Sequence, residues 1–291
     1  MRTDWATLPE AVTKKVADRV GDSDISPAAT GDHAEIAATV TGTAGKVFLK
    51  AAHSDFGVRS LRFELRVSEA VSGPHSPAVR WHFEAAGWLV VGFQHCEGAH
   101  ADLSPGSPDL DLLGEALTAL GKTRAPDVGL FSPKGRLGFE HPAMDGDTLV
   151  HTDLGPANLI VTAHGLRIVD WAMATKAAPW VELAILAQWL IGCGHTPEQA
   201  ELWLARYPAW REVGPDVLDD FAAKNAAKWA SKAQPNSPAW MHDLADWTGQ
   251  WSDHRCKGDR RTQLLHPGGN SKKCSAESEA ADPGEALACG F

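Results

Sequence analysis

The sequence predicts an α+β protein of two lobes, a small β-rich N-terminal lobe and a larger helical C-terminal one. Two observations carry this. The first hundred residues run strand, strand, helix, strand, strand, the order of a small α+β unit. The stretch from 176 to about 250 reads instead as helix, with eight tryptophans from Trp180 to Trp251. Between them, after "QHCEG", a Pro/Ser loop replaces the strand pattern and puts the lobe boundary near 95–98. The chain is thus divided into residues 1–95, 96–255 and a tail, 256–291.

Each element has a local signal. "AEIAATVTGTAGKVFLKAA" at 34–52 gives two short β-like runs around the turn "TGTAG". "VRSLRFELRVSEAVS" at about 58–72 has helical periodicity and is stopped by Gly73-Pro74. "AVRWHFEA" and "GWLVVGF" are two further strands, with Ala86-Gly87 at the turn. "SPGSPDLDLLGEALTALGKT" opens as a loop and continues as a helix. Its ending resembles a Walker loop, but Ala116 stands where the required glycine would lie. "NLIVTA", a His164-Gly165 turn and "LRIVDW" form a hairpin. "LAILAQWLIGC" at 183–193 is too short to span a bilayer and reads as a buried helix. The last residues are polar, Gly/Pro-broken and without periodicity, the composition of a disordered tail.

Composition narrows the function. The 291 residues are 44% hydrophobic and 22% charged, ordinary globular usage, and their formal net charge of −10 argues against nucleic acid as a partner. Residues 101–175 hold ten Asp/Glu against five Lys/Arg, including Asp102, Asp109, Asp111, Asp145 and Asp147. Such a region would draw a cationic small molecule. The five cysteines are odd in number and widely spaced, which fits reduced thiols in a cytoplasm. The N-terminus lacks a basic region followed by an apolar run, so no secretory signal or membrane partner is expected.

The chemistry concentrates in "HTDLGPANLIVTAHGLRIVDW", residues 151–171. Asn158 and Asp170 lie six residues either side of 164. A symmetric hairpin turn would set them opposite each other, with Cβ atoms about 5 Å apart. An amide oxygen and a carboxylate at that separation can share a hard cation such as Mg²⁺. Asp153, on the entering loop, would then stand near a metal-bound phosphate, placed to accept a proton from an attacking hydroxyl. A metal hydrolase using His151, Asp153 and Asp170 is the rival reading, and it leaves Asn158 without a role.

The pattern H-x-D-x-x-x-x-N, followed by an apolar strand and Asp-Trp, resembles the catalytic loop and metal site of the aminoglycoside phosphotransferase family, whose fold is protein-kinase-like. The resemblance covers roughly residues 30–252. It implies Asp153 as catalytic base, His151 as the loop's structural histidine, and Asn158 and Asp170 as Mg²⁺ ligands. Thr152 departs from the family pattern, since glycine is frequent there. A kinase-like fold also needs a strand lysine behind a glycine-containing loop and a glutamate on the next helix. Gly42, Gly45 and Lys50 supply the first. Glu64 and Glu69 are the choices for the second, and the competing apolar stripes of that helix leave both open, while family position favours Glu64. "VVGFQHCEG" resembles the hinge that meets adenine, with Gln94, His95 and Cys96 as candidates.

The expected function is transfer of the γ-phosphoryl group of ATP or GTP, held with Mg²⁺, to a hydroxyl of an aminoglycoside-like or other polar small molecule. The alternatives are a non-catalytic nucleotide-binding protein of the same fold, or a metabolic or protein kinase with another acceptor.

Overall fold

Alternation along two strands explains how the N-terminal lobe is layered. In the computed structural model, which describes residues 3–28, 34–71 and 75–265, helix α1 (Glu10–Val20) is followed by strands β1 (Ser23–Pro27), β2 (Ile36–Gly42) and β3 (Gly45–Ala52). Helix α2 (Asp55–Ala70) and strands β4 (Val79–Ala85) and β5 (Trp88–Gln94) complete the lobe. The five strands form one antiparallel sheet in the order β1-β2-β3-β5-β4. Successive strand residues face opposite sides. Leu49 and Ala51 of β3, with Trp88 and Val90 of β5, pack against Val12, Val16 and Val20 of α1. Phe48 and Ala52, with Leu89, Val91 and Phe93, pack against Leu61 and Leu65 of α2. Lys50, between Leu49 and Ala51, therefore points to the α2 side.

The sequence expectation lacked α1 and β1, although Val12, Val16 and Val20 recur at the four-residue spacing of a helix face. The β4–β5 turn matches its expectation: Ala86 (φ 49°) and Gly87 (φ 80°) are both left-handed, as a two-residue hairpin turn requires. The expected stop of α2 at Gly73-Pro74 lies outside the described residues.

The C-terminal lobe begins with β6 (Gly98–His100) and the helices α3 (Asp109–Leu120) and α4 (Pro133–Leu137). Then come β7 (Thr148–Val150), β8 (Leu159–Thr162), β9 (Gly165–Ile168) and β10 (Thr175–Ala177). β6 pairs with β8 and β8 with β9, while β7 pairs with β10. The rest is helical: α5 (Trp180–Gly192), α6 (Pro197–Leu204), α7 (Pro208–Glu212), α8 (Pro215–Lys232) and α9 (Ala239–Leu265). The expected greasy helix is α5, buried almost all round at the centre of a core with Trp171, Trp203, Trp210 and Trp251. Among the described residues no helix is long and apolar enough to cross a membrane.

The expected tail start at 256 requires correction, because α9 runs on to Leu265. Trp251 sits in the core, and Arg255 bridges Glu201 and Asp219 at 2.6 Å each, so the turn before position 256 is anchored. Extending a formed helix is far easier than starting one, so a polar sequence can follow. Residues 266–291, for which disorder was expected, lie outside the described residues.

Candidate active site

β7 delivers the loop His151–Asp153 into a cavity of about 810 Å³ lined from both lobes. His151 is fully buried. Its Nε2 lies 3.0 Å from the Val169 carbonyl oxygen, and its ring meets Trp171 edge-on at 4.8 Å. Burial holds its pKa below the usual histidine range. A neutral ring donating through Nε2–H fits this contact, which leaves the ring anchoring the loop. Glu182 of α5, a lone acid in an apolar helix, accepts hydrogen bonds from the backbone N–H of His151 and, at 3.0 Å, of Thr152. Burial raises the Glu182 carboxyl to about 7 against these two donors.

Thr152 takes a left-handed conformation (φ 63°), an outlier for a β-branched residue. Its position is set by polar contacts. Its hydroxyl donates to the Met173 carbonyl at 2.8 Å, and Arg136 of α4 donates to the hydroxyl at 3.0 Å and to the Thr152 carbonyl at 3.1 Å. The next residue, Asp153, is thereby aimed at the cavity, which it lines.

Asn158 closes a short 3₁₀ turn, Pro156–Asn158, and its Nδ2 donates to the Asp153 carbonyl (2.9 Å) and to Asp153 Oδ2 (3.0 Å). The amide nitrogen is thus held by the loop, leaving Oδ1 as the atom able to accept a cation. The hairpin register differs from expectation. Thr162 pairs with Gly165 around a two-residue turn, Ala163-His164, so the centre falls between residues and Asn158 lies opposite Val169. The Val169 N–H donates to the Asn158 carbonyl at 2.9 Å. Asp170 is one position further on, in a left-handed conformation (φ 63°, ψ 68°), and it still lines the same cavity as Asn158. One amide oxygen and one carboxylate form a hard donor pair that suits Mg²⁺ when phosphate oxygens complete the shell.

Lys50 links the lobes. Its Nζ stands 2.8 and 2.9 Å from the two Glu64 oxygens and 2.9 Å from Asp170 Oδ1. Burial alone would depress the lysine, but the carboxylates of Asp170 and Glu64 outweigh it and hold the ammonium protonated. Burial pushes Glu64 up to about 7, opposed by Lys50 and by the Trp171 backbone N–H. Glu64 is 3% exposed, whereas Glu69 is half exposed beside His82, so of the two helix acids only Glu64 reaches Lys50.

The hinge candidates Gln94, His95 and Cys96 all line the cavity. The Gln94 N–H is engaged by the Ala78 carbonyl at 2.7 Å. Burial lowers the His95 pKa and raises that of the Cys96 thiol. Gly42 and Gly45, expected behind the phosphates, are not among the residues that line the cavity. They face each other across a tight turn, and a Cβ on Gly42 would lie 2.1 Å from the Val20 carbonyl oxygen, so close approach to α1 explains that glycine. Thr39 and Ala37, further down β2, line the cavity instead.

The acids thought to attract a cation also lie elsewhere. None of Asp102, Asp109, Asp111, Asp145 and Asp147 lines the cavity. Asp109 accepts from the Asp102 N–H, and Asp147 pairs with Lys176 at 2.6 Å. Sequence reasoning also missed Glu182 and Arg136. A single acid inside "WVELAILAQWLIG" was a usable signal for the first. Arg136 carried none.

Residues 141–215 match the family described as "Phosphotransferase enzyme family". No curated protein matches the chain in sequence. Among solved structures, the chain is similar to aminoglycoside phosphotransferase APH(4)-Ia, with 14% identity and a TM-score of 0.57 over 85% of this chain and 98% of that one. It is also similar to a thermostable mutant of that enzyme in a ternary complex with AMP-PNP and hygromycin B, at 14% identity and a TM-score of 0.59, covering 85% and 99%. The fold is therefore the protein-kinase-like fold of the aminoglycoside phosphotransferases.

Proposed function

We propose that this chain, which resembles the aminoglycoside phosphotransferases and carries a phosphotransferase-family segment across its catalytic loop, transfers the γ-phosphoryl group of ATP or GTP to a hydroxyl of a small molecule. The observation that carries the reading is the convergence, in one two-lobed cavity, of Lys50 bound to Glu64 and Asp170 with the paired Asp153 and Asn158. Lys50 would contact the nucleotide phosphates, held extended by Glu64. Asn158 and Asp170 would hold Mg²⁺, which when bound neutralises phosphate charge. Asp153 would take the acceptor's hydroxyl proton as its oxygen bonds to phosphorus. With the Gln94 N–H already used, the backbone of His95 and Cys96 is the part of the hinge suited to a purine edge.

His151 speaks against the metal-hydrolase alternative, because its ring is buried and turned to Val169. The acceptor expected to be cationic rested on acids that stand away from the cavity, so the acceptor is proposed only as a hydroxyl compound at this point. The test is nucleotide consumption with Mg²⁺ across a panel of hydroxyl compounds, beside calorimetric binding of a non-hydrolysable ATP analogue. Lys50→Ala is expected to weaken that binding and abolish turnover. Nucleotide binding without turnover on any hydroxyl compound would favour the non-catalytic reading, and no binding at all would refute both.

A further inference from the structure

The half of the cavity beyond Asp153 is walled by α5, α8 and α9, and the character of that wall is unlike the acidic middle of the sequence. Ile185, Leu244 and the rings of Trp189, Trp229 and Trp240 line it. Trp189 packs against Gly155, two residues from Asp153: a Cβ there would lie 3.0 Å from the ring. Trp229 and Trp240 meet edge-on at 5.9 Å, and Trp240 is 37% exposed. The wall also carries a neutral amide pair, in which Asn225 donates to Gln188 at 2.9 Å.

Among the described residues, α5, α8 and α9 contribute no carboxylate to this wall; Lys228 is their only charged lining residue. Tryptophan faces can attract cations. Here, however, the ammonium groups of Lys228 and Lys232 already lie 5.2 and 5.6 Å from the centre of the Trp229 ring. Arg136 lines the cavity beside Thr152 as well. Of the carboxylates that do line the cavity, Glu64 and Asp170 are bound to Lys50, which leaves Asp153 as the remaining one. A polyammonium molecule would meet cations and indole rings where it needs carboxylates.

Resting on the phosphotransferase reading, we propose that the acceptor is an uncharged, hydroxyl-bearing molecule with one broad apolar face, and not a polycation. Its apolar face would lie on Trp189, Trp229 and Trp240, and its polar edge would meet the Gln188–Asn225 pair. The reacting hydroxyl would then be presented to Asp153.

The test compares two panels as acceptors under Mg-ATP: aminoglycosides, hygromycin B among them, and uncharged aryl glycosides and polycyclic alcohols. Turnover is expected on the second panel, with an acceptor KM insensitive to salt between 0.05 and about 0.5 M, since screening acts only on charge. Trp240→Ala is expected to raise that KM on the order of tenfold while leaving affinity for the ATP analogue unchanged, and Trp240→Phe to restore most of the loss. Trp240 is partly exposed, so its truncation leaves the core intact. A best acceptor that is a polycation with a salt-dependent KM, or an unchanged KM in Trp240→Ala, would each overturn the proposal. Failure of the phosphotransferase reading itself shows separately, as no binding of the nucleotide analogue, or as binding with turnover on neither panel.

Discussion

Thr152 offers a sharp test because strain and hydrogen bonding act on it in opposite directions. A β-branched residue at φ 63° carries about 1–2 kcal/mol of left-handed strain. Its hydroxyl bonds to Met173 and Arg136 act against that strain, and losing both costs about 2 kcal/mol. The cost is limited because the Met173 carbonyl keeps the Thr175 hydroxyl at 3.0 Å and Arg136 keeps the Thr152 carbonyl. Thr152→Gly removes the strain, loses the bonds and adds about 0.5–1 kcal/mol of backbone entropy cost. The net is about 1 kcal/mol of destabilisation. Thr152→Val keeps the strain, loses the same bonds and sets a methyl against a guanidinium, for about 3 kcal/mol. Denaturant unfolding followed by tryptophan fluorescence should therefore rank wild type above Gly and Gly above Val, with about 2 kcal/mol between the variants. A valine variant as stable as the glycine variant would refute the strain. A glycine variant clearly more stable than wild type would show that the hydroxyl bonds contribute nothing.

The roles proposed for the two aspartates separate by ligand. Asp170→Ala should weaken Mg-ATP binding and abolish transfer together, whereas Asp153→Asn should keep nucleotide affinity within a few-fold while kcat falls by about 10² or more. Equal losses of affinity, measured by calorimetry, would undo that division. His151 should make stability depend on pH. Burial depresses its folded pKa, so below the ordinary value of about 6.5 the unfolded chain binds a proton that the folded one does not, and stability is lost as pH falls. Glu64 and Glu182, raised to about 7, act oppositely: between about 4.5 and 7 the fold keeps protons that the unfolded chain releases, so their effect removes stability as pH rises. The difference between wild type and His151→Gln isolates the histidine, and it should shrink from pH 7 to pH 5 by up to about 1.4 kcal/mol per unit. Parallel profiles would refute a neutral buried ring.

Local signals sufficed for several features of this protein. The strand run behind "TGTAG" marked Lys50 inside β3, and helical spacing put Glu64 on a face with Leu61 and Leu65 without excluding the competing stripe that carries Phe63 and Val67. The H-x-D-x-x-x-x-N run and its following hairpin were legible because their spacing is short and their turn chemistry local. The tertiary structure decided the rest. It chose Glu64 over Glu69, because the choice depends on which helix face meets Lys50 and Trp171. It turned Gly42 against Val20 and away from the cavity, a contact between segments over twenty residues apart. It shifted the hairpin centre by half a residue, which only the two-residue turn could set. It also brought Arg136, Thr152 and Glu182 together, and it carried the tryptophans of three helices to one wall while leaving the acidic loops outside. Spacing along the chain reports residues that share an element. Which distant residues share a cavity is settled by packing, because burial selects faces and orphaned polar groups select partners, whatever their separation in sequence.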